Sequence, residues 1–237
     1  MSEKENRRAV VMRTLNEAQL NQEVVAKLDM SELDLTFSDF SEVMAERVIG
    51  DLVKMRASSL ISASFFDSEF AKADFRSCNL EHIHMVDCRM YEANFSQAIL
   101  NGATITISIC FDACFDDTEF SNGEVVGSSF NDGTFRRAIF KHTDAEQADF
   151  SGVDFSDAHL SESKFEKARF CHANLSNVHA EGANFTQADF TGANLSGGIF
   201  SGADFTGANL EDTVWTGSTI DGAIFDVGVK EKIQLLL

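Results

Sequence analysis

The sequence contains no proline, one tryptophan and one tyrosine, and it has 19 basic residues against 38 acidic ones. With no proline, nothing along the chain is barred from donating a backbone hydrogen bond, so pairing can run without a forced break. The shortage of Lys and Arg leaves a net charge of −19. That excludes direct binding to nucleic acid or to an anionic membrane, both of which need a basic surface, and it favours a basic protein partner. No run approaches the ~18 apolar residues that cross a bilayer. The opening residues lack the apolar core of a signal peptide, so a reducing, cytoplasmic setting is expected. No nucleophile is paired with a base, no phosphate-binding loop is present and no C-x-x-C spacing offers a zinc site, so the chain reads as a non-enzyme with neither cofactor nor metal.

What the chain has instead is phenylalanine, 22 in all, set in a five-residue rhythm. It is clearest from Glu181 to Leu210, read as EGANF TQADF TGANL SGGIF SGADF TGANL. A large apolar residue closes each pentad, a small one sits two positions before it, Asp or Asn lies between, and Ser or Thr usually follows. A period of five matches neither the 2.0 of a strand nor the 3.6 of a helix, so a stacked repeat is what sets the fold. From Leu60 to Phe225 the register holds for 34 consecutive pentads. Upstream, Met30, Leu35 and Phe40 fit it too. Residues 41–56 can be read as a helix or as degenerate pentads centred on Ala45, Gly50 and Met55. Because the register resumes in phase, unbroken repeats from about residue 28 are favoured.

The pattern A-[DN]-[LF]-[ST]-x, as in ADFTG at 203–207 and ANLSG at 193–197, resembles the pentapeptide-repeat family over about 200 of the 237 residues. The resemblance implies an all-β fold, a right-handed quadrilateral parallel β-helix with one pentad per side and four per coil. About ten coils are then expected, and residues twenty apart become neighbours about 4.8 Å apart. Phe75, Phe95, Phe115, Phe135 and Phe155 should stack in one column and Phe130, Phe150, Phe170 and Phe190 in another, with slack where Ala145 and Ala180 replace a large central residue.

Three segments follow. Residues 1–27 form an N-terminal cap, with a helix expected over ~14–27 from the T-x-x-E pattern of Thr14 and Glu17 and from Leu20, Val24 and Leu28. Residues 28–227 form the β-helix. Residues 228–237 leave the pattern, and Ile233, Leu235, Leu236 and Leu237 either cap the last coil or join a second copy into a homodimer.

Sorting pentads by twenty-residue phase separates the charge. The side with Phe70 and Phe150 carries 11 acidic and 3 basic residues, and the side with Phe75 and Phe135 carries 6 and 5. Along the rod this is roughly one net charge per 2.3 Å, against one per ~1.7 Å in duplex DNA. Mycobacterial and quinolone-resistance members of the family mimic B-form DNA in this way and bind DNA gyrase. The resemblance therefore implies a protein-binding rod acting on a type II topoisomerase, although this chain lacks the protruding loops of the plasmid-borne members. The alternative is a scaffold or delivered effector that docks or is exported through its N-terminal segment. Candidate partner-binding residues are the corner ladder Glu92, Asp112 and Asp132 and the outward Ile107 and Ile109, near outward Phe66 and Val86. His159 and His179 are neighbouring rungs. Cys78, Cys88 and Cys110 fall inward, while Cys114 and Cys171 point outward on different sides.

Overall fold

The computed structural model describes residues 3–237, which form a parallel β-solenoid with a helix at its N-terminal end. Each twenty-residue step carries four pairings, one per side. Ile49, Lys54 and Ser59, for example, bridge to Glu69, Asp74 and Asn79. On the fourth side the pairing widens into short strands, β1 (Val24–Ala26), β2 (Met44–Glu46), β3 (Ser64–Phe66), β4 (His84–Val86) and β5 (Thr104–Thr106), in one five-stranded parallel sheet. As regular strand the solenoid therefore spans only four turns, fewer than the coil count expected from the pentads. Elsewhere the same spacing is held by single bridges, the last joining Asp204 to Ile224. Residues 41–56 are unbroken repeat, with Val43, Ala45, Val48, Val53 and Met55 buried.

Corners explain why the ladder is mostly one residue wide. The residue two after each central position, from Gln22 to Gly222, has a positive φ. At most corners the next N–H closes a turn onto the central carbonyl, as in Ala63 to Leu60 at 3.0 Å and Ala73 to Phe70 at 3.2 Å. Beside β1–β5 the turn opens: the N–H after the corner no longer returns to the central carbonyl, while the corner N–H keeps its pairing with the next coil, as Asp67 does with the Val86 carbonyl at 3.1 Å. Three of the inward N–H groups this releases are taken up by serine hydroxyls one coil on. Val48 N donates to Ser68 Oγ at 3.0 Å, Cys88 N to Ser108 Oγ at 3.0 Å, and Ser108 N to Ser128 Oγ at 2.9 Å. At Ser128 the N–H returns to the Val125 carbonyl at 3.1 Å, the turn closes, and the strands end. Ser108→Ala should cost about 1–3 kcal/mol, because it leaves the buried Cys88 N–H without an acceptor. A lowered midpoint of denaturant unfolding, with unchanged m-value, is the expected reading.

The axis is filled by the central residues. Phe95, Phe115 and Phe135 stack with centroids 4.7 and 4.6 Å apart, and Phe150, Phe170 and Phe190 with 5.4 and 4.8 Å. The slack expected at Ala145 does not appear: the rings of Phe140 and Phe150, which flank it, meet edge-on at 6.4 Å, and Phe165 stacks on Phe140 at 6.2 Å. At Ala180, likewise buried, Phe200 turns onto Phe185 at 6.4 Å.

The N-terminal helix α1 is Glu3–Asn21, earlier than the ~14–27 expected. Nothing before Thr14 breaks a helix, so the T-x-x-E pattern falls inside it and caps nothing. The buried stripe is Val11, Leu15 and Ala18, whereas Leu20 is 83% exposed and Val24 already belongs to β1. Gln22, in the left-handed region, ends the helix, and the Glu23 N–H reaches back to the Ala18 carbonyl at 3.0 Å. Arg8 and Gln19 tie the helix to the first coil through the carbonyls of Asp34 and Ser41, each at 2.7 Å. At the other end a short helix, α2 (Val229–Gln234), buries Ile233, and the Leu237 carbonyl accepts from Gly217 N at 3.2 Å. Leu235, Leu236 and Leu237 are exposed.

Candidate protein-interaction surface

The acidic residues fall into two groups with different reasons to exist. Those just before a central residue are used by the repeat itself. Asp34 Oδ1 accepts from the Thr36 hydroxyl at 2.7 Å and from its N–H at 3.2 Å, and Asp39 accepts likewise from Ser41. Asn94 makes the same pair of bonds to Ser96, which is why Asp and Asn alternate at this position. The side-chain and then backbone bonds from Thr36 and Ser41 hold the Asp34 and Asp39 carboxyls below their usual 3.8. A depressed folded-state value stabilises above the unfolded pKa, and that stability is lost as pH falls through the folded one. Thermal midpoints measured from pH 5 down to pH 3 (about one unit either side of the ordinary Asp value) should therefore fall. A D34N/D39N variant, whose amide oxygens accept the same bonds without titrating, should fall less.

Acids at the corners serve no such purpose. Glu92, Asp112 and Asp132 occupy one corner column, all with positive φ. Among the described residues only Glu92 of the three has an ion-pair partner, Lys72 at 3.3 Å. A second corner column holds Asp67, Asp87 and then Ile107. These two corners bound one side of the rod. Between them lie Ile109, bridged to Arg89 above and Ser129 below, and Phe111, whose ring meets that of Tyr91 edge-on at 5.8 Å. The structure thus brings the acidic ladder and the outward isoleucines, distant in sequence, onto one face. Ile107 is 66% exposed, while Ile109 is half-buried. Round the corner, Phe66 pairs with Val86 and Val86 with Thr106, which extends the apolar surface. Tyr91 and Phe111 went unnoticed in the sequence, although their twenty-residue offset and the rarity of aromatics at a position usually given to Ser or Thr mark them. A surface depression of about 230 Å³ between Arg47, Val48, Ile49, Asp67 and Glu69 adjoins this region.

Elsewhere the outward residues pair among themselves. Asp116 takes the Arg136 guanidinium through Nε at 2.9 Å and Nη2 at 2.5 Å. Burial pushes its carboxyl up, but bonds from Arg136 and Thr134 outweigh that and hold it below the usual value. His159 and His179 stack at 4.6 Å, and burial, followed by the charge of His179, lowers the His159 pKa. Among the described residues no cluster of His, Cys, Asp and Glu is arranged to hold a metal, and no helix is long and apolar enough to cross a membrane. Cys78, Cys88 and Cys110 are buried, and Cys114 and Cys171 are half-buried. Of the four tail residues, Ile233 faces the last coil, which leaves Leu235, Leu236 and Leu237 on the surface.

Among solved structures the chain is similar to HetL, a pentapeptide repeat protein involved in heterocyst differentiation regulation in the cyanobacterium Nostoc sp. Strain PCC 7120. Identity is 20%, coverage 86% of this chain and 91% of that one, and the TM-score 0.47. Rfr23 from the cyanobacterium Cyanothece 51142 is 29% identical over 41% of this chain and 64% of its own, with a TM-score of 0.38. Full-length QnrB1, a plasmid-mediated fluoroquinolone resistance protein, is 18% identical over 90% and 95%, with a TM-score of 0.31. No curated protein matches the chain. The family model for pentapeptide repeats matches in 8 copies, over residues 68–106, 113–152, 138–177, 154–192, 172–207 and 199–226. That is most of the solenoid, and the chain belongs to the pentapeptide-repeat family.

Proposed function

We propose that the protein is a non-catalytic protein-binding rod whose acidic sides take the place of duplex DNA on a type II topoisomerase such as DNA gyrase. The observation that carries this reading is the second group of acids. Asp and Asn before each central residue make turn hydrogen bonds; the left-handed corners suit Asp but admit Gly or Asn as well, so the fold requires no charge at Glu92, Asp112 and Asp132, where acids recur at the coil spacing. Like charges in register repel unless a basic surface neutralises them. A regular file of carboxylates on a rigid axis is what a groove built for a phosphate backbone can accept. The packing of α1 against the first coil supports a cap, and so weighs against the alternative of a free docking or export segment. The exposed Leu235, Leu236 and Leu237 support a homodimer joined at the C-terminal ends. Removal of residues 229–237 is expected to leave a monomer by light scattering.

The test is a supercoiling assay with gyrase and relaxed plasmid. Inhibition at micromolar protein, weakened in an E92Q/D112N/D132N variant and by added salt, is the expected result. Full supercoiling activity in the presence of the wild-type chain would sink the mimic.

A further inference from the structure

The face between the two corner columns carries a feature that charge mimicry does not call for. Left-handed corner positions suit Gly, Asn or Asp, and a β-branched side chain there is strained. Ile107 nevertheless sits at φ 53 with 66% of its surface exposed. It is not part of the buried core. The corner below is Gly127, where an added Cβ would meet nothing within 4 Å. Other apolar residues lie on the same face or round its corner: Phe66 is 44% exposed and Phe111 37%, with Ile109, Tyr91 and Val86 half-buried. The acids about them are Asp67 and Asp87 above Ile107 and Glu92, Asp112 and Asp132 at the far corner. Among the described residues, four of these five have no ion-pair partner; Glu92 has Lys72. Arg89, beside Ile109, is paired with Glu69 at 3.7 Å, so the unpaired charge of the rim is acidic, and an apolar centre with such a rim is complementary to one kind of occupant.

We infer that this face is a docking site for a polypeptide segment presenting apolar side chains flanked by Lys or Arg, anchored on Ile107, Ile109 and Phe111 and guided by the two acidic corners. The inference rests on the protein-binding part of the function proposed above and names the partner chemistry for this one face. Apolar contact in the centre supplies the anchor, and rim charges speed encounter and make it salt-dependent.

The probe is a short fluorescein-labelled peptide of alternating Leu and Lys, compared by anisotropy with a Ser–Lys peptide of the same charge. The Leu–Lys peptide should bind the full-length protein at least about tenfold more tightly. I107G and F111S should each lose about tenfold in affinity. I107G is the decisive variant, because glycine relieves the strained corner: its thermal midpoint should match or exceed that of the wild type while binding falls, which a purely structural role for Ile107 does not give. Equal binding of both peptides, or wild-type affinity in I107G, overturns the inference, as does a self-associated chain that I107G renders monomeric. The measurement contains no topoisomerase. Selective peptide binding beside unimpeded supercoiling would leave this site standing and remove the mimic, and the reverse pair of results would do the opposite.

Discussion

Phe135→Ala is expected to lower stability by about 3–5 kcal/mol, the usual cost of truncating a large aromatic in a core that cannot collapse. Phe135 lies where the two ring columns meet. It stacks on Phe115 at 4.6 Å and on Phe155 at 4.9 Å, and meets Phe130, Phe140 and Phe150 edge-on at 5.4, 5.8 and 6.0 Å. Alanine already stands at a central position nearby, Ala145, but there Phe140 and Phe150 lean together across it. Those same rings cannot fill two vacancies at once. The damage should also divide the molecule. In a stacked repeat each coil touches only its neighbours, so weakening one interface uncouples the parts on either side. Trp215, buried near the C-terminal end among Phe200, Phe205 and Phe225, reports on one part alone. In the wild type, tryptophan fluorescence and far-UV circular dichroism should trace one transition. In the variant the fluorescence transition should separate from the dichroism, and coincident curves would show that cooperativity spans the break.

Leu15→Asp should have an effect of similar size at the N-terminal end. Leu15 is 2% exposed and, with Val11 and Ala18, forms the buried stripe of α1. A carboxylate there loses at least the about 2–5 kcal/mol of a leucine truncation, and its charge must be desolvated as well. The helix should come away from the first coil, breaking the bonds from Arg8 to Asp34 and from Gln19 to Ser41. The coil beneath would then present an uncovered end of Leu33, Leu35 and Phe40, with unpaired backbone groups around it. Light scattering should show association beyond the assembly state of the wild type. A variant that keeps the wild-type assembly state with unchanged helical signal would mean that α1 is not what seals the rod.

How far these features could be read from the sequence depends on what encodes them. The five-residue period is encoded at every pentad, so the inward positions, the twenty-residue neighbours and the columns from Phe75 to Phe155 and from Phe130 to Phe190 followed from counting. Residues 41–56 were resolved by phase alone, because Ala45 and Gly50 are weak central residues. Helix limits are encoded only by stop signals. The sequence before Thr14 offers none, so the helix begins earlier, and its end is set by Gln22 entering the corner geometry of the coils. The open turn beside β1–β5 depends on serines one coil away, such as Ser108 serving Cys88, and a single pentad contains no trace of it. Among the candidate binding residues, Ile107 and the ladder of Glu92, Asp112 and Asp132 were visible as departures from the repeat. Their meeting on one face with Tyr91 and Phe111 was not, because it needs the width of a side as well as its phase.

The position of α1 has a further consequence for how the molecule is made. The sealed end precedes every coil in the chain, so during synthesis it is complete before the solenoid begins. At ~5–20 residues per second a ribosome delivers one coil every ~1–4 s, whereas closing a short loop or pairing a hairpin takes microseconds or less. Each coil therefore has ample time to settle on the one before it. At any moment a single raw edge exists, the one still facing the ribosome, where the next twenty residues are about to arrive.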